Sequence, residues 1–244
     1  VFAMALNGLL GGSGVLLILR PHHLGSVQYG FAKVEPTIKG WNSMTVVTGM
    51  QIQIGNLDAF LAGWDAQADR LANYGATSSR VVQVMMGGEM AGRFNVANTW
   101  NDIDAAMTGC ANNLADPETQ KALQGIDAQM LGRTLSSVEH SVGDTSGQFG
   151  SFLTGTGDIP SEDDFAELVG RAWDIIGGAC TGQMWTRRMA GPNGIGDWAV
   201  ATYTDSLNDL MAASATLFSN PDQLALLAKT NSQLVGRLMF RKVA

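Results

Sequence analysis

The chain has 244 residues, enough for one large domain or two small ones, each with its own apolar core. Hydrophobic residues make up 45% of it and charged residues only 15%, which predicts a surface partly covered by other subunits or by a membrane. A net charge of −7, without a clustered lysine and arginine surface, argues against binding to nucleic acid. A monomer with a polar but uncharged surface is the alternative.

Residues 1–20 form an apolar amino-terminal segment, and none of residues 1–19 is charged. This run is close to the length of about 20 residues that a membrane-spanning helix needs. Gly8 and Gly12 have the small-residue spacing that lets two helices approach closely, and we assign them as interaction residues. Three interpretations are open: the segment enters a membrane, is buried between subunits, or forms a core helix broken at its glycines.

Residues 21–55 are expected to form a short β hairpin or an extended arm. Val27, Tyr29 and Phe31 alternate with small or polar residues, a period of two that is typical of a strand. A second β-like stretch, rich in threonine, valine and isoleucine, covers residues 44–54. An isolated pair of strands needs helices or another chain to pack against, so this element fits an assembling subunit.

From residue 56 onward, apolar residues recur with the period of a helix, and caps predict several helix starts. Thr99–Asp102 resembles a capping box, and Ser161 precedes three acidic residues. Asp116-Pro117 and Asn220-Pro221 each place proline in the first turn of a helix, where its missing N–H costs nothing. The apolar faces predicted for these helices include Trp100, Met130, Leu234 and Leu238.

The second half of the chain repeats the first at an offset of 104 residues. Asp116-Pro117-Glu118 corresponds to Asn220-Pro221-Asp222, and Gly132-Arg133 corresponds to Gly236-Arg237. A duplicated unit explains these matches. The alternative is coincidence, because unrelated helices share caps and leucine spacing.

Two duplicated helical units are therefore predicted, residues 56–140 and 161–244, separated at residues 141–160 by a linker rich in glycine, serine and threonine. Arg133 and Arg237 are shared by the two copies, and we assign them as interaction residues. Each is expected to form an ion pair in its own unit or to contact a neighbouring subunit. A cation favoured near the carboxyl end of a helix is the alternative.

Motifs of known chemistry are absent from the sequence. It has no phosphate-binding loop, no Gly-x-Ser-x-Gly elbow and no His-Glu-x-x-His pair. Cys110 and Cys180 are too few for a disulfide framework, and we expect two small buried thiols, with a single bridge as the alternative. Surface positions and helix starts explain the histidines and the acidic clusters. We predict no catalytic, cofactor-binding or metal-binding residues, and no cofactor.

The predicted fold class is mainly α, with tandem duplicated, bundle-like helical units after the apolar segment and the small β element. The leading function is a non-enzymatic structural subunit of a larger assembly, such as a virion, a secretion apparatus or an envelope complex. Its expected partners are copies of itself or other subunits, in a membrane-associated or extracellular setting. One alternative is a membrane-inserting protein acting through residues 1–19. The other is an enzyme or ligand-binding helical bundle with a site between the two repeats.

Overall fold

In a computed structural model of the protein, residues 44–192 and 194–244 are described. The apolar segment 1–20, with Gly8 and Gly12, and the first predicted strand lie outside these residues. The second predicted strand forms β1 (Val46–Ile54). It pairs on both sides with strands that come later in the chain.

The described chain consists of two repeats with the same order of elements: strand, helix, strand, strand, helix, helix, strand. In the first repeat, β1 is followed by α1 (Leu57–Asn73), β2 (Ser78–Met86), β3 (Phe94–Trp100), α2 (Ile103–Ala115), α3 (Pro117–Gly125) and β4 (Ala128–Gly143). The second repeat contains β5 (Phe149–Thr156), α4 (Glu162–Ile176), β6 (Gly182–Ala190), β7 (Trp198–Thr204), α5 (Leu207–Ser219), α6 (Pro221–Lys229) and β8 (Gln233–Lys242).

The eight strands form one closed antiparallel barrel in the order β1-β3-β2-β8-β5-β7-β6-β4. The predicted fold class, mainly α with bundle-like helical units, is therefore wrong, because each repeat contains four antiparallel strands beside its three helices. The linker expected at residues 141–160 instead contains the end of β4 and the whole of β5. The two repeats join where β2 pairs with β8 and where β4 pairs with β6.

Each of the six α-helices of the described chain begins at a residue whose side chain caps it. The cap accepts a hydrogen bond from a backbone N–H of the first turn, which would otherwise lack a partner. The helix starts predicted at Asp116, Ser161 and Asn220 are confirmed. In the expected capping box Thr99–Asp102, only Asp102 caps a helix, and Thr99 and Trp100 end β3. Caps at corresponding positions of the two repeats are Asn56 and Ser161, Asp102 and Ser206, and Asp116 and Asn220.

Several residues assigned to helix faces lie on strands instead. Trp100 is on β3, Met130 is on β4, and Leu234 and Leu238 are on β8. β7 shows why the strands are hard to find, since it is buried along its whole length. Helices cover its outer face and the barrel interior covers its inner face, so its sequence lacks the alternation of a half-exposed strand.

The helices pack on the outside of the barrel. Among the described residues, buried apolar side chains form two clusters between helices and sheet in the first repeat, one in the second, and one inside the barrel. In the first repeat the helix–sheet core includes Phe60, Trp64, Phe94 and Trp100. In the second it includes Leu168, Trp185, Trp198 and Leu226. The barrel interior contains Met184, Ala201, Tyr203 and Phe240. Within the described residues, no helix has the length and apolar character needed to cross a membrane.

Candidate functional site

A cavity of about 290 Å³ lies in the first repeat, between its helices and its part of the sheet. The sheet floor is formed by β1, β3 and β4, and α1, α2 and α3 form the roof. Most of its lining is apolar and includes Ile52, Phe60, Trp64, Leu71, Val96, Leu123 and Ile126. It opens to solvent beside Gly63, Met107 and Ala122, which are exposed. A half-enclosed, mainly apolar cavity with few polar groups is the usual form of a small-molecule site.

In the second repeat, buried leucines stand at three positions where the cavity of the first repeat has smaller or polar residues. Counted from the matching caps of α1 and α4, Gly63 corresponds to Leu168. Counted in the same way, Asn113 and Ala122 correspond to Leu217 and Leu226. All three leucines are buried in the core of the second repeat.

Two tryptophans complete the packing of the second repeat. The rings of Trp185 and Trp198 lie 6.4 Å apart, and Phe165 meets Trp185 edge-on at 6.1 Å. The first repeat has the smaller Val81 and Phe94 at the two tryptophan positions, by the register of the β2–β3 and β6–β7 pairs. The same arrangement of strands and helices therefore has a packed core in the second repeat and a cavity in the first.

The cavity floor contains a buried polar group without a partner. Asn98 is 7% exposed, and its side-chain oxygen Oδ1 accepts no hydrogen bond from the described residues. Thr202, its counterpart on β7, accepts a hydrogen bond from Gln183 Nε2 at 3.1 Å. Since an unpaired buried acceptor costs free energy, Asn98 is suited to accept a hydrogen bond from a bound molecule.

Beside Asn98, the polar groups of the floor are already paired with one another. Thr48 is the cross-strand neighbour of Asn98, and its Oγ1 accepts a hydrogen bond from Trp100 Nε1 at 2.9 Å. The Cys110 thiol also lies 3.9 Å from that hydroxyl. These contacts fix the Trp100 ring beside the cavity and leave Asn98 as the floor group available to a ligand.

A second polar cluster holds the three roof helices together. Gln67 on α1 donates from Nε2 to Asn113 Oδ1 on α2 at 2.8 Å, and it accepts from Arg70 at 2.9 Å. Thr119 on α3 is 2% exposed, and its hydroxyl lies 3.2 Å from the side-chain oxygens of both Gln67 and Asn113. Because its members satisfy one another, this cluster positions the helices around the cavity.

Arg133 and Arg237 occupy equivalent places, opposite Met50 and Leu153 on the neighbouring strands. Both lie on strands, so a helix carboxyl end does not explain them, and the expected ion pairs or subunit contacts stay predictions. Arg133 is exposed and stands at the rim of the cavity. Arg237 instead lies over the Phe218 ring at 5.3 Å, and its partial burial lowers the pKa of its guanidinium.

Few ionisable groups border the cavity. Among the described residues that line it, Cys110 and Arg133 are the only ones with an ionisable side chain. Cys110 and Cys180 are both unbridged and half-buried, and burial raises the pKa of the Cys180 thiol to about 11. His140 lies on β4, away from the cavity lining. The cavity can therefore bind, orient and exclude water from a small molecule, whereas its own acid–base groups are few.

Asp116 joins the end of α1 to the start of α3 and so helps to shape the roof. Its carboxylate accepts from the Tyr74 hydroxyl at 2.7 Å and from the backbone N–H groups of Glu118 and Thr119 at 2.8 and 2.9 Å. The Tyr74 hydrogen bond, followed by the one from Thr119, lowers the Asp116 pKa below its ordinary value of 3.8.

Because the pKa of Asp116 is lowered on folding, its ionised form stabilises the folded state above the ordinary pKa, and this contribution is lost as pH falls through the lowered value. We expect Asp116→Asn to destabilise the chain at pH 7 and to flatten the loss of stability between pH 5 and pH 2. Urea unfolding at a series of pH values measures both effects. Tyr74→Phe, which removes the largest cause alone, should give a smaller change in the same direction, and equal acid slopes in all three proteins would contradict this assignment.

No protein-family model matches the sequence, and no curated protein matches it significantly. Solved structures do match the fold. A proposed monooxygenase from Fusobacterium nucleatum is 8% identical, with a TM-score of 0.53 over 83% of this chain and 94% of its own. A chlorite dismutase from Candidatus Nitrospira defluvii is 7% identical, with a TM-score of 0.53 over 83% and 92%. A heme-binding protein from Thermus thermophilus is 12% identical, with a TM-score of 0.50 over 83% and 92%. The chain has their ferredoxin-like barrel fold.

The cavity does not fit a heme. Protein ligands to heme iron are histidine, cysteine, methionine or tyrosine. No histidine or tyrosine is among the described residues that line it, and its Cys110 thiol faces the Thr48 hydroxyl. Met107 is 61% exposed at the opening. The described residues also contain no cluster of three histidine, cysteine or acidic side chains that could hold a metal ion.

These findings correct the leading function predicted from the sequence. A helical, non-enzymatic structural subunit of a virion or similar assembly does not agree with an antiparallel barrel flanked by helices, whose structural neighbours include proteins named as monooxygenases and chlorite dismutases. They favour the alternative of an enzyme or ligand-binding protein. That alternative placed a helical bundle's site between the two repeats, whereas this cavity is lined mainly by the first, with Ala190 and Gly191 from the second.

Proposed function

We propose that the chain is an enzyme or binding protein for a small, mainly apolar molecule, which it takes into the cavity of the first repeat. The comparison of the two repeats carries this proposal. Leu168, Leu217 and Leu226 pack the second copy, while the first has Gly63, Asn113 and Ala122 in their places. Because a cavity costs stability, a hollow copy beside a packed one indicates that the space is used.

The polar groups of the cavity define the chemistry of the ligand. Asn98 Oδ1 needs a donor, which a hydroxyl or amino group supplies. Arg133 at the rim favours an acidic or electron-rich end. Between them the wall is aromatic and aliphatic. We therefore propose a hydroxylated or aminated aromatic compound as the ligand class.

Binding of 1-naphthol, a bicyclic compound with one hydroxyl, tests the proposal. We expect saturable one-to-one binding by titration calorimetry, and Gly63→Leu should weaken it at least tenfold because leucine fills the opening. Gly170→Leu is the matched control: it makes the same change on α4, where a new side chain meets open solvent. If the natural chain does not bind, or if both variants bind equally well, the cavity is not the site.

The Asn98 hydrogen bond can be tested separately. Asn98→Leu should weaken the binding of 1-naphthol about fivefold, because a hydrogen bond contributes about 1 kcal/mol. It should leave the binding of naphthalene, which has no donor, unchanged or stronger. An equal loss for both compounds would indicate that the variant has distorted the cavity and would contradict a ligand-bonding role for Asn98.

Oxidation of the bound compound is the reaction type that we propose, because proposed monooxygenases share this fold. Compounds that bind should then be tested for oxygen uptake and product formation, with Gly63→Leu as the inactive control. Binding without turnover for any compound and any added electron donor would leave a carrier as the function. The expected self-association and the membrane contact through residues 1–19 are separate predictions that these experiments do not address.

A further inference from the structure

The barrel interior contains a second, half-enclosed cavity, of about 90 Å³, between the strands of the two repeats. The first repeat contributes polar side chains to it, and the second contributes mainly apolar ones. Thr134 and Ser136 on β4 correspond to Leu238 and Phe240 on β8, by the registers of the two strand ladders. Gly49 helps to open the space, because a side chain there would meet Thr134 Oγ1 at 2.7 Å.

Arg80 lies at this cavity and is only 9% exposed. Its guanidinium donates to Met184 Sδ at 3.4 Å and lies 5.3 Å from the centre of the Tyr203 ring. None of the described residues that line the cavity is a carboxylate. A guanidinium has five N–H donors, and the Met184 sulfur and the Tyr203 side chain, whose hydroxyl also hydrogen-bonds to Arg80, satisfy few of them.

A buried charge without a counter-charge is strongly unfavourable, and a guanidinium does not lose its proton to escape that cost. A molecule inside the cavity can supply further compensation, because the guanidinium borders this space. The space is several times what one water molecule needs, so it admits an ion of a few atoms. Ser136 and Thr134 add hydroxyl donors. Tyr203 stays protonated at neutral pH, because burial raises the pKa of its phenol more than Arg80 lowers it.

We propose that the barrel interior binds one small monovalent anion, of the size of chloride, nitrate or formate, on the guanidinium of Arg80. This site lies inside the barrel, whereas the ligand cavity lies between the sheet and the helices of the first repeat; Gly49 and Thr134 border both. It explains why the lumen is polar on the Arg80 side and why that side carries Gly49 where the second repeat has Phe152. The anion completes the barrel core and stabilises the folded state.

Unfolding of the full chain in different sodium salts at equal ionic strength tests the site. Nitrate and chloride fit the cavity, and gluconate is too large for it. Above the dissociation constant, each tenfold rise in nitrate should raise the ratio of folded to unfolded chain about tenfold, because a ligand that binds only the folded state shifts folding by mass action. Gluconate should have no such effect. Equal responses to nitrate and gluconate would overturn the proposal.

Arg80→Met places in the first repeat the residue type that the second repeat has at the corresponding position, Met184, and should abolish the nitrate effect. In gluconate this variant should be at least as stable as the natural chain, because it removes the uncompensated charge. Arg241→Met is the matched control: it removes an exposed arginine of β8 and should keep the nitrate effect. A nitrate effect that persists in Arg80→Met would overturn the proposal.

A direct measurement keeps the test decisive where Arg80→Met does not fold. Crystals of the natural chain grown in bromide should show an anomalous peak inside the barrel beside the Arg80 guanidinium. Such a peak supports the site independently of stability. A lumen without anomalous signal, in crystals whose surface binds bromide, would exclude it.

Discussion

Replacement of Trp100 by alanine is expected to lower the free energy of unfolding by about 3–5 kcal/mol, near the upper end for a single core substitution. Trp100 is fully buried between the floor of the first repeat and α2. Gly109 packs directly on its ring, since a Cβ there would lie 2.2 Å from the nearest ring carbon. The helix cannot close the space that alanine leaves, so the cavity would remain. Urea unfolding followed by circular dichroism measures the change.

Trp100→Phe separates the contribution of the side-chain volume to stability from that of the Trp100 hydrogen bond. Phenylalanine keeps much of the ring but loses the 2.9 Å hydrogen bond from Trp100 Nε1 to Thr48 Oγ1. We expect a cost of about 1–2 kcal/mol for this variant, clearly below that of alanine. A loss of less than 1 kcal/mol for Trp100→Ala would show that Trp100 does not support the first repeat as described.

Exchange of one residue between the two repeats should have opposite consequences in the two copies. Leu226→Ala in α6 removes a side chain that is 6% exposed within the packed core, and we expect a loss of about 2–5 kcal/mol. The reverse change, Ala122→Leu in α3, adds volume where the cavity already provides room. It should leave stability unchanged or higher and should block the binding of 1-naphthol.

Leu224→Ala controls for the loss of leucine from the same helix. Its side chain is 46% exposed, so its removal should cost less than about 1 kcal/mol. The same urea experiment compares all three variants, and calorimetry measures ligand binding by Ala122→Leu. Severe destabilisation by Ala122→Leu would mean that the cavity is too small or too rigid to accept a side chain, contrary to the structure.

Three helix starts of this fold could be located from the sequence because their signals are local. Asp116, Ser161 and Asn220 each bond a backbone N–H within three residues along the chain. A cap of this kind depends on neighbours in sequence, and tertiary packing does not alter it. The positions of these helices were therefore correct even though the fold class was not.

The strands could not be found in the same way, because their pattern depends on what covers each face. β6 and β7 have helices on one side and the barrel interior on the other, and neither strand has a solvent-exposed face along its first half. β4 contains glycine and several serines, and its ends were assigned to a helix and a linker. A strand buried on both faces cannot be distinguished by period from a short buried helix.

The ligand cavity had one sequence signal that could have revealed it. When the sequences of the two repeats are aligned, a small or polar residue in the first corresponds to a leucine in the second, as Gly63 does to Leu168. Such differences identify space only when the helix faces are known to point at a sheet. Asn98 had no signal, because its missing hydrogen-bond partner becomes visible only when both neighbouring strands are in place.

The contact between Arg80 and Met184 has a consequence for how such a chain could arise. The two residues hold the same place in the two repeats, and they meet at the centre of the barrel. In a symmetric pair of separate half-length polypeptides, the residue at this place would face its own copy. Two arginines would then be held together in a closed, weakly solvated space, and their repulsion would oppose association. When the two halves are joined in one chain, the two positions no longer need to hold the same residue. A single arginine can then lie at the centre of the barrel, where a symmetric pair would have two arginines or none.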